Sequence, residues 1–182
     1  MDHSLLAKLE SAIRARSPAL ADSLLPGLPD FEIRNTLSNV NAAGDLTALL
    51  LLYMWHNGIS SPARALPSDS AFLPRTAYRF LSLQDAAEQF AALSTVGHDL
   101  IELTGDPTHL AQDARWHFPV FWDGATGYLA VDLRPLRGNG IVIIEVESED
   151  PFRQAYETFE KFIADVLRAN EENDMLACFH FG

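Results

Sequence analysis

Four residues have side chains suited to a divalent metal: His56, the adjacent pair His98 and Asp99, and Asp132. Imidazole nitrogen and carboxylate oxygen together make a plausible ligand set, provided the backbone brings all four to one point. A second candidate is Cys178, two residues before His180 in "CFHF". A thiol becomes a good nucleophile where nearby cations lower its pKa, and the residues flanking Cys178 supply none. The chain has no G-x-S-x-G, no Walker loop and no H-E-x-x-H, so the common nucleophile, phosphate and zinc signatures are missing.

Whether these residues meet depends on the elements that carry them. Leu5, Leu6, Leu9 and Ile13 recur at helical spacing; Ser17 and Pro18 end that helix and begin another through about Leu25. "LPGLP" predicts a turn, and Asp30 an N-cap for a helix to about Leu37. Asp45 caps the apolar "LTALLLLYMW", which ends near Trp55, with Gly58 as its left-handed terminal residue. Residues 59 to 76 read as a loop, and 78 to 83 as a short strand. Ser82 and Asp85 open a helix to about Leu93, and two short helical pieces are expected between Thr95 and Arg115.

Then the period changes to two. "HFPVFWDG" and "TGYLAVDL" predict a hairpin closed around Asp123 and Gly124, with one set of alternating side chains in the core. "GIVIIEVE" supplies a third strand, and Pro151 starts a closing helix with Phe152, Ala155, Phe159, Phe162, Ile163 and Val166 on one face. Helices, then a strand meander, then a helix predict an α+β domain with an antiparallel sheet. In that reading His56 ends a helix and Asp132 lies in a strand. The H…HD…D order resembles that of HD-type phosphohydrolases, whose ligands stand on helices of an all-α fold. That context is absent, so metal-dependent hydrolysis is the most remote reading, and neither metal nor cofactor is expected.

The totals narrow the class. A chain of 182 residues fits one domain. One cysteine rules out an internal disulfide, the first residues lack a signal-peptide core, and the longest apolar run is too short to span a membrane. A cytoplasmic protein without membrane contact is expected. The formal charge is −12, and from Glu145 onward ten carboxylates face only Arg153, Lys161 and Arg168. Such a balance repels nucleic acid and steers cationic partners in. The aromatics of the hairpin, Trp116, Phe118, Phe121, Trp122 and Tyr128, lack the basic groove that single-stranded nucleic acid needs.

A family resemblance rests on an ordered set of residues. Trp116, Pro119, Asp123, Gly124, Gly127, Tyr128, Asp132, Pro135 and Gly140 resemble the "W-x-P … D-G … G-x-L-x-x-D-x-x-P … G-x-V" signature of the SUKH (Smi/Knr-like) superfamily. Upstream, "LLLYMWHNG" is similar to its helix ending in Asn-Gly, here Asn57 and Gly58. "YRFLSLQDA" is similar to its strand and helix, and "AYETFEKFIADVL" to its closing helix. The likeness covers about residues 24–168 of a single domain, flanked by a helical extension at 1–23 and an addition at 169–182. It implies a SUKH fold and a non-catalytic protein-binding domain. Most bacterial members look like immunity proteins that neutralise a cognate toxin, often a nuclease, by tight binding. An intracellular regulatory scaffold of the same fold is the alternative. The partner implied is a basic toxin, and Glu157, Glu160, Asp165, Glu171 and Glu172 on the final helix are the candidate face for it. The signature residues can serve either the hairpin or the interface.

Overall fold

Leucine and isoleucine at every third or fourth position make the first helix: Leu6, Leu9 and Ile13 of α1 (His3–Arg16) are buried while Lys8, Ser11 and Arg14 face solvent. The computed structural model describes residues 3–60, 72–104, 114–146 and 152–179. Ser17 starts α2 (Pro18–Ser23) by accepting the Leu20 amide, and Pro18 sits at the first helical position, where its missing donor is not needed. α3 (Asp30–Asn39) and α4 (Thr47–Trp55) follow. The N-cap of α4 is Leu46, one residue after the expected Asp45, whose Oδ1 accepts the Thr47 amide at 3.0 Å.

On both sides of these helices the chain departs from expectation. Leu24–Pro26 is not helix and turn but β1, paired antiparallel with β2 (His56–Ile59). Proline is tolerated there because a three-residue strand asks little of its missing N–H. Gly58 does have a left-handed backbone, at φ +77°, yet it lies inside β2 and does not terminate α4.

The second sheet is an antiparallel meander. β3 (Arg79–Phe80), β4 (His117–Trp122), β5 (Gly127–Asp132), β6 (Ile141–Glu145) and β7 (Phe152–Tyr156) pair in chain order. With the helices this makes an α+β domain whose described strands are all antiparallel. β7 corrects the expected helix start: "FRQAY" satisfies a two-residue period as well as a helical one, and β6 supplies the ladder that decides between them. The last helix, α6 (Phe159–Glu172), begins only after Thr158, whose hydroxyl accepts the Lys161 amide. Residues 147–151, including Pro151, lie outside the described residues.

α5 (Leu83–Thr104) is also longer than expected. Ser82 and Asp85 exchange the predicted capping bonds, Asp85 N–H to Ser82 Oγ at 3.1 Å and Ser82 O–H to Asp85 Oδ2 at 2.7 Å. Gly97 does not break the helix, because one glycine costs about 1 kcal/mol against the good helix formers on either side. Of the two expected pieces, the first is the end of α5 and residues 105–113 lie outside the described residues. A 3-10 turn, Ala114–Trp116, leads into β4.

The hairpin strands are buried on both faces. Phe118, Phe121, Leu129, Val131, Ile141 and Ile143 join the main core, while Tyr128, Ala130, Val142 and Ile144 form a smaller cluster with Leu93 of α5. α1 and α6 pack together, and the centre is aromatic: Phe121 lies 5.3 Å from both Phe72 and Phe80 and 5.8 Å from Phe162, centroid to centroid. Beside them Tyr53 is fully buried, and its hydroxyl has no hydrogen-bond partner among the described residues. Burial raises its pKa steeply, the mark of a phenol removed from water. Tyr53→Phe should therefore stabilise the fold by about 1 kcal/mol, read as a higher melting temperature. A loss of stability would mean that the hydroxyl is bonded.

Candidate functional site

The signature residues first build a turn. The Asp123 carboxylate accepts the amides of Ala125 at 2.7 Å and Gly127 at 3.1 Å, closing the β4–β5 hairpin. Gly124 takes φ +92°, and at Gly127 a Cβ would stand 2.5 Å from Asp123 Oδ2. Tyr128 stacks on Trp122 at 6.3 Å and donates its hydroxyl to Gln89 of α5 at 2.9 Å. Pro119 sits where the β4–β5 register shifts, a place that tolerates a strand residue without an N–H.

At the other end of β5 the carboxylate of Asp132, 1% exposed, is held by Arg134. Its Oδ2 takes Nη2 at 2.7 Å, and Oδ1 takes Nε at 3.0 Å and the Arg134 amide at 2.9 Å. His117 is buried beside them, with Nε2 3.5 Å from Arg134 Nη2. Asn139 anchors the loop that follows. Its side-chain amide donates to Asp45 O at 2.7 Å and Asp132 O at 3.2 Å, and its oxygen accepts the Ala48 amide. Gly140 has Tyr156 O where a Cβ would be, at 2.5 Å; Pro135 is exposed on the loop. Trp116 accepts the Leu133 amide on its carbonyl, packs its half-buried indole on the core and lies under Arg115. Asn57 Oδ1 accepts the first amide of α5, Leu83 N–H, at 2.8 Å.

The structure does not bring the metal candidates together as a set. His56 Nδ1 lies 3.0 Å from Leu25 O and Nε2 3.4 Å from Glu10, whereas Asp132 belongs to the larger sheet. His98 and Asp99 lie on α5, their side chains outside the described residues. Among the described residues no three potential ligands cluster. Cys178 is half-buried, and burial pushes its thiol up, away from the reactive thiolate. No helix among the described residues is long and apolar enough to cross a membrane.

The acidic face needs two corrections. Glu157 precedes α6 instead of riding on it, and Lys161 pairs with it. Asp165 turns inward. Burial alone would raise its pKa, but the Tyr156 hydroxyl, the Ala177 amide and Arg168 outweigh burial and lower it. Thr158 as the N-cap leaves Glu157 outside the helix, and donors within reach of Asp165 draw its carboxylate in. Arg168 also reaches Glu172, at 2.7 Å. Glu160 and Glu171 remain exposed on α6 with no ion pair among the described residues.

Arg134 and Asn139 escaped the sequence reading. The available signal was "RPLRGN" after a strand aspartate, since Asn and Gly favour the left-handed backbone that Asn139 and Gly138 adopt. No family model and no curated protein matches the chain.

Proposed function

We propose that the chain is a SUKH-type protein-binding domain, an immunity protein that neutralises a basic toxin by covering its surface. It performs no chemistry of its own. The observation that carries this reading is the location of the polar groups. Asn57, Asp123 and Asp132 are committed to internal hydrogen bonds, whereas Glu160 and Glu171 stand exposed, with no ion pair among the described residues, on a chain of net charge −12. An acidic surface on a hydrogen-bonded scaffold suits rapid, tight association with a basic partner. The element order gives further support: Asn-Gly after an apolar helix, strand and helix, hairpin, third strand and closing helix follow the order of the resemblance. The regulatory-scaffold alternative draws on Phe31, Met54 and Leu136, large apolar side chains that stand in solvent at separate places in the chain.

Tagged purification at low salt with mass spectrometry tests the proposal. One stoichiometric partner with a basic toxin domain is expected; several substoichiometric regulators would favour the scaffold. With that partner in hand, Glu160→Lys together with Glu171→Lys should slow association about tenfold at low salt and flatten its salt dependence. An unchanged on-rate would remove α6 from the docking face.

A further inference from the structure

Where β1 and β2 approach β3 and the first turns of α5, the surface folds into a cleft of about 360 Å³. Its apolar lining includes the half-buried side chains of Leu25 and Ile59 and the indole of Trp122. α5 contributes Asp85 and Glu88, three residues apart on one helical face and both exposed. Neither carboxylate has an ion pair among the described residues. Asp85 accepts from the Ser82 hydroxyl and Glu88 from the Gln84 amide, neutral donors that leave their charge uncompensated. Arg79, half-buried and without an ion pair among the described residues, lies opposite Trp122 in the β3–β4 register, its guanidinium beside Gly124 of the hairpin turn. The cleft therefore combines an apolar lining with two carboxylates and one cationic donor.

We propose that this cleft receives an arginine side chain from an extended segment of the partner protein. Arginine matches each part. Its methylenes fit against Leu25 and Ile59, its planar guanidinium can lie along the indole of Trp122, and its fork of donors meets Asp85 and Glu88. Arg79 then faces the backbone of the same segment, where carbonyl oxygens need donors. The repulsion between Arg79 and the incoming cation is met by two carboxylates against one guanidinium. This inference rests on the protein-binding reading and adds to it a second docking element, away from α6.

The test uses the whole chain and N-acetyl-arginine amide as the probe, followed by amide and indole nuclear magnetic resonance. Saturable shifts at the Trp122 indole N–H and the amides of residues 85–89 are expected, with a dissociation constant on the order of 1 mM. N-acetyl-norleucine amide, which keeps the stem and lacks the charge, should produce none. Asp85→Asn with Glu88→Gln keeps acceptors for Ser82 and Gln84, so the fold should hold by thermal melting while the affinity falls about fivefold or more. Glu160→Gln with Glu171→Gln should leave it unchanged. Shifts that never saturate, that spread evenly over exposed carboxylates, or that survive in the Asp85/Glu88 variant would overturn the cleft as an arginine site. A captured toxin whose affinity ignores that variant would likewise overturn its role in docking while leaving the immunity reading intact. Arginine binding in the cleft of a chain that captures no protein would sustain the site and remove the toxin.

Discussion

Gly58→Ala should destabilise the protein by about 4 kcal/mol, a large fraction of the stability of an ordinary domain. Two penalties combine. The backbone at Gly58 has φ +77°, a conformation that costs a residue with a Cβ about 1 kcal/mol. The added carbon would also stand 2.5 Å from the carbonyl carbon of Leu81 and from Ser82 N, and 2.6 Å from Leu81 O. These are backbone atoms at the start of α5, so no rotamer change relieves the overlap. Moving them would disturb the bond from Leu83 N–H to Asn57 and the Ser82–Asp85 capping pair together. Gly124→Ala is the control: φ is +92°, but the nearest atom is the mobile end of Arg79 at 3.1 Å, and the cost should be only about 1 kcal/mol. Urea denaturation of both variants checks the difference. Equal losses would show that the approach of β2 to α5 has room to give.

The same comparison explains what could be read locally. The hairpin was legible because its instructions are adjacent: alternating strands, Asp123 to accept the turn amides, Gly124 for a positive φ, and Gly127 where a side chain would not fit. The caps at Ser17 and Ser82 were legible for the same reason. β7 was not, because "FRQAY" supports two periods and only β6, reached across the chain, selects the strand. β1 was hidden similarly, its partner β2 lying beyond two helices. The acidic face shows the limit on the functional side. A sequence counts carboxylates, whereas the fold assigns Asp165 to Tyr156, Ala177 and Arg168 and leaves Glu160 and Glu171 outside. Asn139 is the sharpest case, since its bonds to Asp45 and Ala48 join residues 94 and 91 positions apart.

Asp132→Ala should cost about 3 kcal/mol of stability, and the way it does so separates a structural signature from a binding one. The side chain is 1% exposed and its two oxygens accept from Nε, Nη2 and the backbone amide of Arg134. Removing it takes a carboxylate from a guanidinium that is only 32% exposed and releases the Arg134 amide that the carboxylate holds in the turn. The two side chains share three hydrogen bonds, so Asp132→Ala with Arg134→Ala should cost about 1 to 2 kcal/mol less than the sum of the two single changes. Strict additivity would mean that the pair contributes little to the fold. An Asp132→Ala protein that keeps its melting temperature but no longer captures its partner would place this end of β5 in the interface. Lost stability with unchanged affinity in the folded fraction would leave the signature as the frame of the sheet, with recognition carried by the carboxylates outside it.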